Sequence, residues 1–265
     1  MKRTLIFFGI LCMIFFLLFS SADKRTQFLT SLAGPGMLSL VKQASAKATA
    51  FEDFSTDTTA GLPVEEPPRI ALTFDDGPYA PVGNRIMDCA EQYGGRVTFY
   101  VVGNRVNSYK SEIQRMYANG HEIGNHTQDH KYLQKLGAQE IRQQVEACNQ
   151  AVAAITGEAP KTVRLPGGGK NSTVLANISQ PIVLWNVDTL DWKTRNAASS
   201  VQTVLNQVKD GSVVLMHELY NASGDAAVTI IPALVERGYQ LVTVSELAQF
   251  RGGLAGGTVY YSFHK

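Results

Sequence analysis

The chain has 265 residues, enough for one large domain or two small ones, and its 45% hydrophobic and 18% charged residues are ordinary for a soluble globular protein. A net charge of +1 offers neither a basic surface for nucleic acid nor a strongly anionic one. Three cysteines without CxxC spacing exclude a cysteine-based metal site; Cys12 lies in an N-terminal apolar run, and Cys89 and Cys148 read as buried free thiols, with a disulfide as the alternative.

Met1-Lys2-Arg3 is basic and Leu5 to Phe19 is almost unbroken apolar sequence. As a helix that run spans roughly 22 Å, short of a hydrocarbon core of about 30 Å. Residues 1–22 therefore read as a signal peptide, with Ser20-Ser21-Ala22 as a small-residue cleavage site, or as a short uncleaved membrane anchor. Either reading exports the rest of the chain, to a secreted or cell-surface location. Residues 23–66 show no sustained period and close on Val64-Glu65-Glu66-Pro67-Pro68, an extended linker or tether.

From residue 67 to 265 strand and helix signals alternate. Strands are expected at Ile70–Phe74, Val97–Val102, His121–Gly124, Thr162–Leu165, Ile182–Val187, Val213–Met216 and Gln240–Val244. Helices are expected at Asn84–Tyr93, Ser108–Ala118, Ala138–Ile155, Ser199–Val208 and Ala226–Arg237. Apolar strands alternating with helices imply a parallel sheet covered by helices, and about seven strands suit an incomplete or distorted (β/α) barrel. In such folds reactive groups gather at the C-terminal ends of strands. Here Asp75 and Asp76 follow the first strand, His126 and His130 the third, Arg164 ends the fourth, Asp188 and Asp191 follow the fifth, and His217 the sixth.

Asp75 and Asp76 end an apolar strand and precede Gly77-Pro78, so strand alternation lets the two carboxylates aim at different targets. His126 and His130 stand at i and i+4; in a helical turn both imidazoles share one face and can share a metal. Adding a carboxylate from the mouth gives a His₂Asp set with one position open for water, an arrangement typical of catalytic zinc, which lowers the pKa of water from about 15.7 to about 7. Thr127 is expected to orient a ligand. Of the five histidines, His121 is expected to pack within its strand and His264 to be solvated.

Five segments in order carry a resemblance: Thr73-Phe74-Asp75-Asp76-Gly77-Pro78, His126-Thr127-Gln128-Asp129-His130, Arg164-Leu165-Pro166-Gly167-Gly168, Asp188-Thr189-Leu190-Asp191-Trp192 and Leu215-Met216-His217. Together they resemble the polysaccharide deacetylases of the NodB-homology type, carbohydrate esterase family 4, from about Arg69 to Tyr239. The runs Asp188–Arg195 and Gly211–Glu218 look most like peptidoglycan N-acetylglucosamine deacetylases.

The resemblance implies that Asp76, His126 and His130 bind a divalent metal, zinc first, with cobalt, manganese or nickel as alternatives. It implies Asp75 as general base, His217 as general acid, Arg164 holding Asp75 and Asp191 pairing with His217. A carboxylate beside an imidazole favours the charged donor form, and guanidinium can grip a carboxylate bidentately. Trp192 and Leu215 would accept the acetyl methyl, and a backbone N–H near Gly167 the oxyanion. Structural readings stand beside these: Arg164 as a core-rim ion pair, Asp188 as a turn former, Trp192 as core.

Where Gly167 stands the family often has an aromatic, so one wall of the sugar groove is expected to be missing. The implied activity is hydrolysis of N-acetyl groups on a β-linked N-acetylglucosamine polymer, with peptidoglycan foremost. Alternatives are a chitin, chitooligosaccharide or exopolysaccharide deacetylase, a xylan O-acetyl esterase, or an inactive carbohydrate-binding surface protein. The only partner implied is an acetylated polysaccharide, with membrane contact solely through the N-terminal segment.

Overall fold

The computed structural model describes residues 66–265. The expected export segment, 1–22, and all but the last residue of the expected linker, 23–66, lie outside the described residues.

Strand β1 (Arg69–Asp75) is buried at every position and lies at the middle of a parallel sheet. It pairs with β2 (Thr98–Val101) on one side and β6 (Val213–His217) on the other. β3 (Glu122–Asn125) continues beyond β2, and β5 (Val187–Asp188) beyond β6. β7 (Gln240–Leu241) joins the start of β1, and β4 (Ile182–Val183) pairs with β8 (Val259–Tyr260). Val163 bridges Asn125 on one side and Ile182 on the other. The sheet thus curls from β3 through Val163 to β4, and the chain runs on through Leu184–Asn186 into β5. This is the incomplete, distorted barrel of mostly parallel strands expected from the sequence.

Helices cover the outside: α1 (Ala80–Gln92), α2 (Gly103–Val106), α3 (Lys110–Ala118), α4 (Ala138–Thr156), α5 (Ser172–Ala176), α6 (Asp191–Thr194), α7 (Ala197–Gln207), α8 (Asn221–Glu236) and α9 (Val244–Gln249). Side-chain alternation sorts each strand. Leu72, Phe74, Phe99, Val101, Val214 and Met216 face the helices and join Ile86, Met87, Ile230 and Ile231 in the outer core. Ala71, Tyr100 and Val213 face inward with Val183. Phe74 and Phe99, ring centroids 5.7 Å apart, are fully buried. Burying each ring stabilises the fold by about 1.5–3 kcal/mol.

Five expected elements differ; one of them, α8, begins at Asn221 rather than Ala226. Thr162–Leu165 contributes only the bridge at Val163. Ile182–Val187 breaks into β4 and β5, because the Val183 and Leu184 carbonyls accept from Arg164 and the Asn186 side chain accepts from Val213 N–H. Gln240–Val244 stops at Leu241, because Thr243 and Glu246 form a reciprocal capping box that starts α9. α1 begins at Ala80 rather than Asn84, with Pro81 in its first turn, where a missing N–H is harmless. α4 ends as expected at Gly157, whose φ of 82° suits a glycine cap. Cys89 and Cys148 are buried and unpaired. No helix of the described residues is long and apolar enough to cross a membrane.

Candidate active site

Strand ends gather the candidate residues. Asp75 keeps the strand conformation with its side chain inward, while Asp76 leaves the strand with a φ of 71°. That left-handed residue breaks the alternation on which the opposite-face expectation rested, so both carboxylates approach His126. Asp75 Oδ2 lies 3.6 Å and Asp76 Oδ1 3.4 Å from His126 Nε2, and Asp76 Oδ1 is 3.1 Å from His130 Nε2.

The segment from His126 to His130 is not a helical turn. Thr127 and His130 adopt φ of 67° and 54°, and this irregular loop brings the imidazole centroids to 4.9 Å. Left-handed backbone in a β-branched residue costs about 1–3 kcal/mol and is found where surrounding structure over-determines it. Helix α4 supplies that structure. Gln144 accepts from Asp129 N–H and donates to its carboxylate, while Asn125 accepts from Thr127 N–H and donates to the Val145 carbonyl and to Asn149. The Thr127 hydroxyl is buried without a partner, so it does not orient a histidine as expected. His126 is fixed instead by its Nδ1, which donates to the Arg164 carbonyl at 2.9 Å and turns Nε2 toward Asp76.

Asp76, His126 and His130 present ligand-type atoms within 4.8 Å of one another. Asp76 Oδ1 is buried and receives no well-directed hydrogen bond, as suits an atom aimed at a shared cation. Two imidazoles and a carboxylate are a donor set suited to zinc and related ions. Burial would raise the Asp76 carboxyl, but His126 and His130 together hold it well below the usual carboxylate range. Asp76 in turn raises His130.

Arg164 is fully buried beneath this cluster. Its Nε and Nη2 donate to the Val183 and Leu184 carbonyls at 2.9 Å, and its Nη1 reaches both Thr73 Oγ1 and Asp75 Oδ1, the latter at 2.8 Å. The grip on Asp75 is therefore through one oxygen, not the bidentate fork expected, because the other guanidinium nitrogens hold the broken strand. Its plane lies 4.1 Å over the Tyr100 ring.

His217 is the Cα partner of Asp75 across the β1–β6 pair. Its Nδ1 lies 2.8 Å from Asp191 Oδ1. Asp191, 1% exposed, also accepts from His217 N–H, Trp192 N–H and the Ser223 hydroxyl. Burial opposes charge on both partners, yet the pair raises His217 and lowers Asp191 from their ordinary values.

Leu215 is buried in β6, whereas Trp192 is 46% exposed and so is not core. Asp188 accepts from Leu190 N–H, a turn-forming role. Gly167 has a φ of 63°, and a Cβ there would stand 2.6 Å from Tyr132 Cε1. The half-exposed Tyr132 ring, 6.5 Å from that of His130, therefore occupies the space that a side chain at position 167 would take. The Gly168 N–H bonds the Leu165 carbonyl at 2.8 Å, while the Gly167 N–H has no backbone partner among the described residues.

Sequence reasoning missed Tyr132, Ser223 and Glu218. Tyr132 stands two residues after His130 and could have been considered for the same mouth. Ser223 had no local signal, since its bond to Asp191 joins segments far apart in the chain.

Residues 64–181 match the polysaccharide deacetylase family. Over 182 residues, 69% of the chain, it is 42% identical to the peptidoglycan-N-acetylmuramic acid deacetylase PdaC of Bacillus subtilis, of whose length it covers 39%. A peptidoglycan-N-acetylglucosamine deacetylase of Bacillus cereus is 34% identical over 187 residues, 68% of each chain. The solved structure of Bacillus subtilis PdaC superposes with a TM-score of 0.69 at 41% identity, over 71% of this chain and 93% of that one. The chain thus spans about two-fifths of the length of PdaC, but nearly all of the part of it that was solved. By sequence and by fold, the chain belongs to the polysaccharide deacetylase family.

Proposed function

We propose that the chain is a metal-dependent deacetylase that hydrolyses N-acetyl groups of a β-linked N-acetylglucosamine polymer, with peptidoglycan as its substrate. The observation that carries this reading is the register Asp75↔His217, which sets a carboxylate and an imidazole side by side at the ends of paired strands, next to a His₂Asp donor set. Relatives named for action on peptidoglycan support the substrate.

Asp76, His126 and His130 would hold the metal, zinc foremost. When bound, a divalent cation makes water a better nucleophile and stabilises charge on the acetyl oxygen. The remaining work belongs to the chain. Asp75 takes the proton of the attacking water on Oδ2, since Oδ1 is held by Arg164. The water oxygen bonds the acetyl carbon, the carbon–nitrogen bond breaks, and His217 delivers a proton from Nε2 to the departing amine. Its Nδ1 is held by Asp191, which keeps the ring oriented and favours its protonated form. The products are acetate and a free sugar amine. The Gly167 N–H would donate to the developing oxyanion, and Trp192 with Leu215 would enclose the acetyl methyl.

In this reading residues 67–265 are the catalytic domain, and 1–22 export it or anchor it outside the membrane, beside the wall. The test is acetate release by the purified full chain, supplied with zinc or cobalt, from peptidoglycan, N-acetylated chitooligosaccharides and acetylated xylan. Release from peptidoglycan is expected. Release from xylan alone would make the protein an O-acetyl esterase, and release from none would make it a binding protein.

A further inference from the structure

The carboxyl of Glu218 lies behind the site rather than in it. Glu218 directly follows His217, the last residue of β6, so strand alternation sends its side chain away from the pocket and toward α1. Glu218 is 0% exposed. Its backbone N–H donates to the Asp75 carbonyl at 2.8 Å, and its Oε1 accepts from Tyr79 N–H at 2.8 Å. Its Oε2 is buried without a partner. The carboxyl fits against two glycines: a Cβ on Gly77 would stand 1.7 Å from Oε2, and one on Gly83 2.1 Å from Oε1.

These contacts bracket the turn that carries both acids. One residue bonds the chain at Asp75, presses on Gly77 and bonds Tyr79, so Asp76 sits between points that Glu218 fixes. Tyr79 is also the N-cap of α1, which has no side-chain cap and no acidic residue in its first turn. A carboxyl from beyond β6 thus supplies the acceptor for the N-cap N–H that a Glu or Gln at the third helical position, here Val82, would give in a capping box. Burial pushes the Glu218 carboxyl up to about 8, so at neutral pH its neutral form predominates, and a neutral carboxyl still accepts through Oε1.

We propose that Glu218 is a positioning residue that holds the Asp75–Asp76–Gly77 turn in register with His217, and so sets the geometry of the Asp76 carboxylate toward His126 and His130. It touches no reacting atom. It acts through the turn, and the two glycines are small because its carboxyl occupies their side-chain space.

The inference rests on the metal reading above, and the test separates the two. Co²⁺ is titrated into the full-length wild type and into Glu218→Ala, Glu218→Gln and Gly83→Ala, with visible absorption reporting the ligand field and thermal unfolding of the metal-free proteins reporting stability. Losing a group that orients a ligand typically costs about 10–100-fold in metal affinity, and that is the loss expected for Glu218→Ala. Gly83→Ala, which drives the carboxyl off its seat without removing it, is expected to weaken Co²⁺ and alter the spectrum in the same direction. Glu218→Gln keeps an acceptor at the same reach and is expected to recover most of the affinity. A wild type that binds no Co²⁺ overturns the metal reading itself. A wild type that binds, with affinity and spectrum unchanged in Glu218→Ala or Gly83→Ala, overturns the positioning role, whatever the unfolding temperature. If Glu218→Ala does not fold, Gly83→Ala alone decides by the same criterion.

Discussion

Replacing Asp191 by Asn tests the acid half of the site, and the geometry dictates the outcome. Asp191 accepts four hydrogen bonds, from His217 N–H, His217 Nδ1, Trp192 N–H and the Ser223 hydroxyl. Asn has one oxygen and one NH₂, and the two ends of the group face different donors. With NH₂ at the Oδ2 position, the His217 backbone N–H meets a donor. With NH₂ at the Oδ1 position, the Trp192 N–H meets a donor and His217 Nδ1 must become an acceptor, which moves its proton to Nε2. Either way one buried N–H loses its acceptor, at a cost of about 1–3 kcal/mol in stability.

The effect on chemistry should be larger. Asp191 is what raises His217 against the lowering effect of burial. A raised histidine contributes stability that is fully present below its unfolded pKa and lost as pH rises through its folded pKa. The depressed Asp191 contributes stability present above its unfolded pKa and lost as pH falls through its folded pKa. Without the carboxylate, His217 loses its proton at lower pH, so the alkaline fall in kcat/KM moves toward acid. Removal of effective general acid catalysis should lower kcat by about 10²–10⁴-fold. The assay is acetate release from N-acetylated chitooligosaccharide across the neutral range, with Co²⁺ affinity as a control expected to stay near wild type. An unmoved alkaline limb, with kcat within about threefold of wild type, would refute the argument.

Asp75→Asn should bind Co²⁺ like wild type yet lose about 10²–10⁴-fold in acetate release; a parallel loss of affinity would make Asp75 a ligand instead. His126→Ala should retain less metal after dialysis, by at least about tenfold in affinity, and equal metal content would overturn its assignment. Arg164→Met leaves the Val183 and Leu184 carbonyls, Thr73 and Asp75 without their buried donor, and should destabilise the protein by about 3–5 kcal/mol in urea unfolding. A loss under about 1 kcal/mol would show that the interior readily rehydrates. Gly167→Ala must adopt a φ of 63° and displace Tyr132, so it should cost about 1–2 kcal/mol and raise KM; Tyr132→Ala in the same chain should recover the steric part but not the backbone part.

The contrast between the legible and the illegible parts of the chain comes from how far each signal reaches. Apolar alternation at Ile70–Phe74 and Val213–Met216 is a local pattern, and both strands stand where it puts them. The strand broken after Val183 obeys no local pattern, because the Val183 and Leu184 carbonyls answer to Arg164, a partner some twenty residues away. The capping box at Thr243–Glu246 is a local pattern too, and it could have been read. At the site, ordered motifs named the residues that the strand ends bring together, since each sits where an inward strand runs out. Their orientation was not legible: Asp76, Thr127 and His130 take left-handed backbone, which ordinary side chains avoid and no propensity encodes. That conformation is imposed from outside the motifs, by Gln144 and Asn149 on α4 and by Glu218 behind the β1 turn. These are buried polar side chains, and their partners exist only once the fold has closed. The motifs therefore specify the chemistry, and residues outside them carry the geometry that lets Asp76 and His126 face one point.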